Sequence, residues 1–327
     1  GPAPHATIRA PVTWARVSWR EALARFGLVL ALIALVVALS LLSDRFLSVP
    51  NLLNVLRQIS INALIAFGMT AVILGRGIDL SVGSLLAYVG VVTATMAVSG
   101  LPAWLAIVAG LALGSVLGAL SGLFVAYAGI APFIVTLAGL TIFRGMALAF
   151  TDGRPVTGLP PLFAQIGYGT FLGLPMPVWI LLAFLALTHL MLRHTALGRA
   201  IYAIGGNEEA ARLAGIPVRR VTAFTYAFSG FAAALAAVVL TGRLNSAQPT
   251  AGVMFELDAI AAVVVGGTSL FGGRGGVFGT LVGALIIGVI NNGMNLLNVP
   301  SFYQQIVKGG VILAALLIDR ILTARRS

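Results

Sequence analysis

The chain contains no cysteine and very little charge. The missing cysteine excludes a disulfide framework, a thiolate catalyst and any Cys-ligated metal centre. Asp, Glu, Lys and Arg together make up 9% of 327 residues, fewer than a soluble domain of this length carries. Lysine occurs only at Lys308, preceded by Val307. The Gly-Lys-Ser/Thr of a P-loop is therefore absent, and any ATP must be hydrolysed by another polypeptide. Histidine is nearly as scarce: His5 stands near the start, and His189 and His194 share one apolar stretch. No His-Glu-x-x-His or Ser/His/Asp arrangement exists, so neither a catalytic residue nor a metal site is expected.

What is abundant is apolar sequence. Hydrophobic residues make up 59% of the chain, in long continuous runs. Continuous runs, unlike alternating ones, favour helices over a membrane β-barrel. The fold class expected is an all-α, polytopic helical membrane protein of about ten transmembrane helices. The spans fall at about 26–43, 59–75, 83–98, 103–127, 131–150, 176–193, 220–241, 257–272, 276–296 and 302–319. Several are shorter than the roughly 20 residues of a straight crossing, which points to broken or re-entrant pieces. Residues 50–59, opening with Pro50 and Asn51, read as a short external interfacial helix. Residues 1–25 form a cytoplasmic segment in which Trp14 and Trp19 lie among four arginines, suited to the inner membrane surface. Gly1-Pro2 reads as the remnant of a cleaved tag, and no cleavable signal peptide is expected. A single transmembrane domain covers 26–320, and 321–327 is a cytoplasmic tail.

The net charge of +11 comes from arginines scattered through short loops and ends, not from a basic stripe, so nucleic acid is not the implied partner. With the N-terminus inside, fourteen arginines fall in inner segments and four (Arg45, Arg57, Arg154, Arg243) in outer ones. This bias puts both termini in the cytoplasm and the 151–175 loop outside.

One stretch is too polar for lipid and too well punctuated for slack linker. In 195–219, Asn207 is a good N-cap, and Glu208 and Glu209 follow in the first turn. Glu208 can pair with Arg212 four residues on, Gly215 stops the helix, and Pro217 forbids its continuation. A short cytoplasmic helix between two spans is expected, and it suits a membrane protein driven by a partner.

Other motifs carry a functional and a structural reading side by side. Gly110, Gly114, Gly118 and Gly122, and again Gly275, Gly279 and Gly283, recur every fourth residue; such ladders serve packing within a subunit or an interface between subunits. Gly77-Ile78-Asp79-Leu80-Ser81 joins two spans, with Asp79 or Ser81 either capping the next helix or sitting in a broken helix along a route. Gly75-Arg76-Gly77 is echoed by Gly273-Arg274-Gly275, as in duplicated transporter halves. Asn62, Thr93, Thr95, Asn291, Asn292, Asn295, Gln304 and Gln305 fall in the outer half, with Arg144 and Lys308 at membrane depth. Amides and hydroxyls without a dense charge cluster suit a wet vestibule for a neutral, hydroxyl-rich solute. The two cations either serve that route or reach outward to Asp258, Glu256 or Asp152.

These residues resemble a known family. Gly68-Met69-Thr70, Gly77-Ile78-Asp79-Leu80-Ser81-Val82-Gly83-Ser84, Thr195-Ala196-Leu197-Gly198-Arg199, Gly205 to Ile216, Ser246 to Gly252, Glu256 to Val264 and Asn291 to Leu297 look like the permease subunits of bacterial ABC importers for monosaccharides, in the ribose, xylose, arabinose and allose branch. The resemblance runs from about 26 to 320. It implies a homodimeric pore in the inner membrane and cytoplasmic ATPase subunits that bind ATP and Mg, with no cofactor in this chain. It also implies a periplasmic or lipid-anchored sugar-binding protein. Gly206, Asn207, Glu208, Glu209, Arg212 and Gly215 become ATPase-coupling candidates. Asn62, Asn291, Asn292, Asn295, Gln304, Gln305 and Lys308 are pathway candidates, and Arg154, Arg243, Glu256 and Asp258 candidates for contact with the binding protein. Ribose is the first cargo to expect. Xylose, galactose, a nucleoside, a branched-chain amino acid, an ATP-independent carrier and a non-transporting membrane assembly subunit are the alternatives.

Overall fold

The computed structural model describes residues 19–324; the inner-surface reading of residues 1–18 and the 325–327 end of the tail lie outside the described residues. In chain order the helices are α1 (Trp19–Leu42), α2 (Val49–Leu74), α3 (Val82–Val98), α4 (Ala103–Ala126) and α5 (Pro132–Thr151), followed by α6 (Pro161–Tyr168). A two-stranded hairpin, β1 (Thr170–Phe171) and β2 (Leu174–Pro175), leads into α7 (Met176–His194), α8 (Ala196–Gly206) and α9 (Glu208–Leu213). The chain ends with α10 (Val218–Leu244), α11 (Phe255–Val265), α12 (Val277–Leu296) and α13 (Ser301–Ala324). Seven of these helices are long and apolar enough to cross a membrane. Of the remaining expected spans, the described apolar part of α1 (26–42) and α3 are shorter, and α11 has only 11 residues.

Two helices form the centre. The most apolar stretch of α2 is 78% buried and that of α10 is 72%, against 22% for α4 and α5 and none for α13. The glycine ladder explains the tightest contact. Gly114 packs on Gly230 and Ala234, Gly118 on Tyr226 and Gly230, and Gly122 on Ala223, so α4 runs antiparallel to α10 with backbones nearly touching. Gly110 sits against Thr93 of α3. On the other side Gly279 and Gly283 of α12 receive Gly266 and Ala262 along α11. Both ladders thus pack helices within one subunit.

Three expectations need correction. Residues 50–59 are not a separate interfacial helix: α2 runs unbroken from Val49, with Pro50 in its first turn, because nothing between Asn51 and Leu74 interrupts it. The polar stretch holds two helices, α8 and α9, where one was expected. At the α2–α3 connection, the reading of Asp79 or Ser81 as a side-chain cap of α3 fails. Gly77 packs against Tyr226, Asp79 bonds Ser229, and Gly83 meets Gly252. Tyr226 and Ser229 lie about 12 and 16 Å along α10 from Val218 at 1.5 Å per residue. The chain therefore climbs into the bundle before α3 begins.

Ser81 is the residue before α3 but makes no side-chain cap. The Asp79 carboxylate instead accepts from Ser81 N–H (3.0 Å), Ser81 O–H (2.6 Å) and Ser229 O–H (2.8 Å). A buried carboxylate needs such donors, and these three fix the break to α10.

The 246–254 segment also folds inward. Arg144 on α5 donates to the carbonyls of Pro249 (3.0 Å) and Ala251 (2.6 Å), and does not reach out to Asp152. Val156 and Ala247 exchange backbone bonds at 2.9 Å, tying the 151–175 loop to this segment.

Candidate functional site

The first candidate element is the α8–α9 pair. Thr195 accepts from Gly198 N–H (3.1 Å) and starts α8. Ile201, Ile204 and Gly205 of α8 are buried, so this helix is bolted to the bundle. Gly205 packs on the Leu74 carbonyl at the end of α2 and on Gly273, whose N–H donates to that carbonyl at 2.9 Å. The two echoed Gly-Arg-Gly turns thus lie side by side under α8.

A second tie was not read from the sequence. The Gly275 carbonyl accepts from Tyr202 O–H (2.6 Å) and from Arg193 (3.0 Å), and the Arg193 guanidinium lies 5.0 Å from the Tyr202 ring centroid. Burial pushes the Tyr202 phenol up from its ordinary range, and Arg193 opposes this. The phenol stays protonated and keeps donating.

Asn207 then caps α9 by accepting from Ala210 N–H at 3.0 Å, and Gly215 ends the turn at φ +86. Arg212 pairs with Glu209, three residues away, and not with Glu208 as the four-residue spacing suggested. Glu208 faces a cleft of about 870 Å³ together with Arg212, Arg76 and Arg219. Ala211 is buried, whereas Gly206, Asn207, Glu208, Glu209, Arg212 and Gly215 are all exposed. Leu213, which sequence reasoning passed over, is 80% exposed at the tip of α9. An anchored base with an exposed tip of mixed charge and one leucine can transmit a push from a docked protein.

The second candidate element is a cavity of about 190 Å³ between α2, α10, α11, α12 and α13. It collects Asn62, Asn291, Asn295, Gln304 and Lys308 from the pathway candidates, with Asp258 and Arg243 from the contact candidates. Lys308 Nζ lies 3.2 Å from Asp258 Oδ1, with the side chains 29% and 10% exposed. Gln304 donates to Asn295 Oδ1 (2.8 Å) and the Val299 carbonyl (2.9 Å). Asn291 is buried, and its Oδ1 has no hydrogen-bond partner among the described residues.

Two pathway candidates lie elsewhere. Asn292 exchanges amide bonds with Asn51 at 2.9 and 3.1 Å, and Gln305 is exposed on the far face of α13. Helix rotation decides this: residue 292 is about 100° around from 291, as 305 is from 304. The contact group separates too. Asp258 is buried and so removed from any contact surface, Arg243 donates to Asn54 Oδ1 (3.1 Å), and Glu256 is half-buried beside Gly83. Arg154 is exposed in the 151–175 loop.

The family model described as branched-chain amino acid transport system / permease component matches residues 51–316. The chain belongs to this family. It is similar to the "Ribose import permease protein RbsC" of Haemophilus influenzae, 52% identical over 301 residues, covering 91% of this chain and 93% of that protein. The protein of the same name from Bacillus subtilis is 53% identical over 308 residues, covering 93% and 95%. The "D-allose transport system permease protein AlsC" of Escherichia coli is 41% identical over 295 residues, covering 89% and 90%. No solved structure matches. The relatives are named as permeases, which places this chain among membrane transport subunits and not among enzymes. Within this family of permeases, the exposed tip of α9 and the polar cavity lined by Asn62, Asn291 and Lys308 are two features of the chain that transport can use.

Proposed function

We propose that the chain is the membrane subunit of an ATP-driven importer that carries a monosaccharide, ribose first, across the bacterial inner membrane. The observation that carries this is the identity of about half the residues, over nearly all of both chains, to proteins named ribose import permeases. The α8–α9 pair is the docking point for an ATPase subunit, which holds ATP and Mg. A sugar-binding protein delivers cargo at the outer face, where Arg154 is exposed. Both termini are cytoplasmic.

A second copy of the chain completes the route. No residue in the apolar stretch of α13 is fully buried in the single chain, and one face of it is open. Arg144 on α5 and Glu256 at the start of α11 are only half-buried at membrane depth, where contact with lipid costs several kcal/mol. A water-filled path between two copies removes that cost.

The test is reconstitution in proteoliposomes with the cognate ATPase and binding protein. Labelled ribose should accumulate, and ribose should stimulate ATP hydrolysis. Competition by leucine or a nucleoside, with no competition by any monosaccharide, would sink the sugar assignment.

A further inference from the structure

We infer that each single subunit holds its own low-affinity monosaccharide subsite, built around the Asp258–Lys308 pair in the outer cavity. The inference rests on the importer reading and names where, inside one chain, the sugar first stops.

Three observations meet there. The first is the pair itself, a buried carboxylate and a half-buried ammonium 3.2 Å apart, which can accept from one hydroxyl and donate to its neighbour and so read a vicinal diol. The second is the Asn291 Oδ1 atom, buried and without a donor. Leaving a buried acceptor without a donor is unfavourable, and a ligand hydroxyl would remove that cost. The third is size. A cavity of 190 Å³ is about six water volumes at roughly 30 Å³ each, room for one monosaccharide ring.

The chemistry selects a neutral polyol. Lys308 is offset by Asp258, so the centre of the cavity favours neither anion nor cation. Arg243 is turned toward Asn54 at the rim. Asn62, Asn295 and Gln304 add amides, each of which can donate and accept. Gln304 and Asn295 already bond one another, so a sugar must exchange bonds to enter. Exchange of that kind gives weak binding, which suits a site that must release its ligand.

The subsite can be probed directly because the chain has no cysteine. Gln58 is exposed at the cavity rim, and Gln58→Cys places a thiol there. The full importer carrying this change, in membrane vesicles without ATP, would be treated from outside with an impermeant thiol reagent. Millimolar ribose should slow labelling several-fold, and should leave unchanged the labelling of Thr157→Cys in the 151–175 loop. The charge-neutral double change Asp258→Asn with Lys308→Met should raise the ribose concentration needed for that protection about tenfold. If the double variant does not assemble, Asn291→Leu must weaken protection in its place. Ribose uptake with no protection at Gln58→Cys overturns the subsite and leaves the importer reading intact. Equal slowing at Thr157→Cys, or protection by inorganic phosphate and not by ribose, also overturns it. Protection by ribose without uptake of any monosaccharide counts against the importer reading and not against the subsite.

Discussion

Adjacent glycines in α8 should respond oppositely to the same change. A methyl group on Gly205 would fall on the Leu74 carbonyl oxygen and lie 2.5 Å from Gly273 N, whereas nothing lies within 4 Å of one on Gly206. Both are helical, so propensity alone favours alanine at each by at most about 1 kcal/mol. At Gly205 that gain is outweighed. Overpacking costs about 1–3 kcal/mol, and spreading the Gly273–Leu74 hydrogen bond costs about 0.5–1.5 kcal/mol more. With the helix gain of about 1 kcal/mol subtracted, the expected net loss is about 0.5–3.5 kcal/mol, confined to the junction of α8 with the two Gly-Arg-Gly turns. Hydrogen exchange reads this locally. Amides of residues 270–276 should exchange about twofold to three hundredfold faster in Gly205→Ala, at tenfold per 1.4 kcal/mol, and at the wild-type rate in Gly206→Ala. Transport should fall in Gly205→Ala with the rest of the bundle still protected. Equal exchange in both variants would refute the idea that Gly205 anchors α8.

Other expectations follow from the same contacts. Ala211→Pro removes the N–H that donates to Asn207 (3.0 Å) and should cost about 3 kcal/mol in helix terms; uptake should be lost while the bundle stays folded, and retained uptake with retained ATPase copurification would reduce α9 to a loop. Arg144→Met strands the Pro249 and Ala251 carbonyls, so thermal unfolding should show a loss of about 1–3 kcal/mol per carbonyl left unpaired, with faster exchange across 246–254. Single cysteines should label only from the cytoplasm at Arg212 and only from outside at Thr157; the reverse pattern would invert the topology.

Hydropathy made the long helices legible because lipid leaves a spanning backbone few solutions. The polar punctuation of Asn207 and Gly215 made α9 legible too. Neither signal showed α8, whose residues Ile201 and Ile204 look like ordinary apolar sequence until they are seen packed under the bundle. The inward climb of 75–81 was equally hidden. Gly77 and Gly83 permit it, but the partners that demand close approach, Tyr226 and Gly252, lie more than 140 residues away in the chain.

The polar cavity was half legible, and part of the missing half was in the spacing. Gln58 and Asn62, Asn291 and Asn295, and Gln304 and Lys308 are each four residues apart, so each pair shares a helix face. Asn292 and Gln305 break that spacing and lie outside the cavity. Each of them is nevertheless three residues from a lining residue, Asn295 or Lys308, so spacing alone does not exclude them and the packing of α12 and α13 decides.

The Gly-Arg-Gly echo gains a physical meaning from its position. Its two copies meet where the Gly273 N–H reaches the Leu74 carbonyl, and Gly205 rests on both. On the proposed coupling, a displacement of α9 would be carried through α8 to this junction, because α8 is buried there and α9 is mostly exposed. From the junction one arm is α2, whose outer half bears Gln58 and Asn62, and the other is α12, whose outer half bears Asn291 and Asn295. The exposed tip of α9 and the polar cavity are therefore linked by two continuous helices that meet at a common anchor. On the proposed coupling, a push at Leu213 would reach the cavity as a relative movement of its two walls.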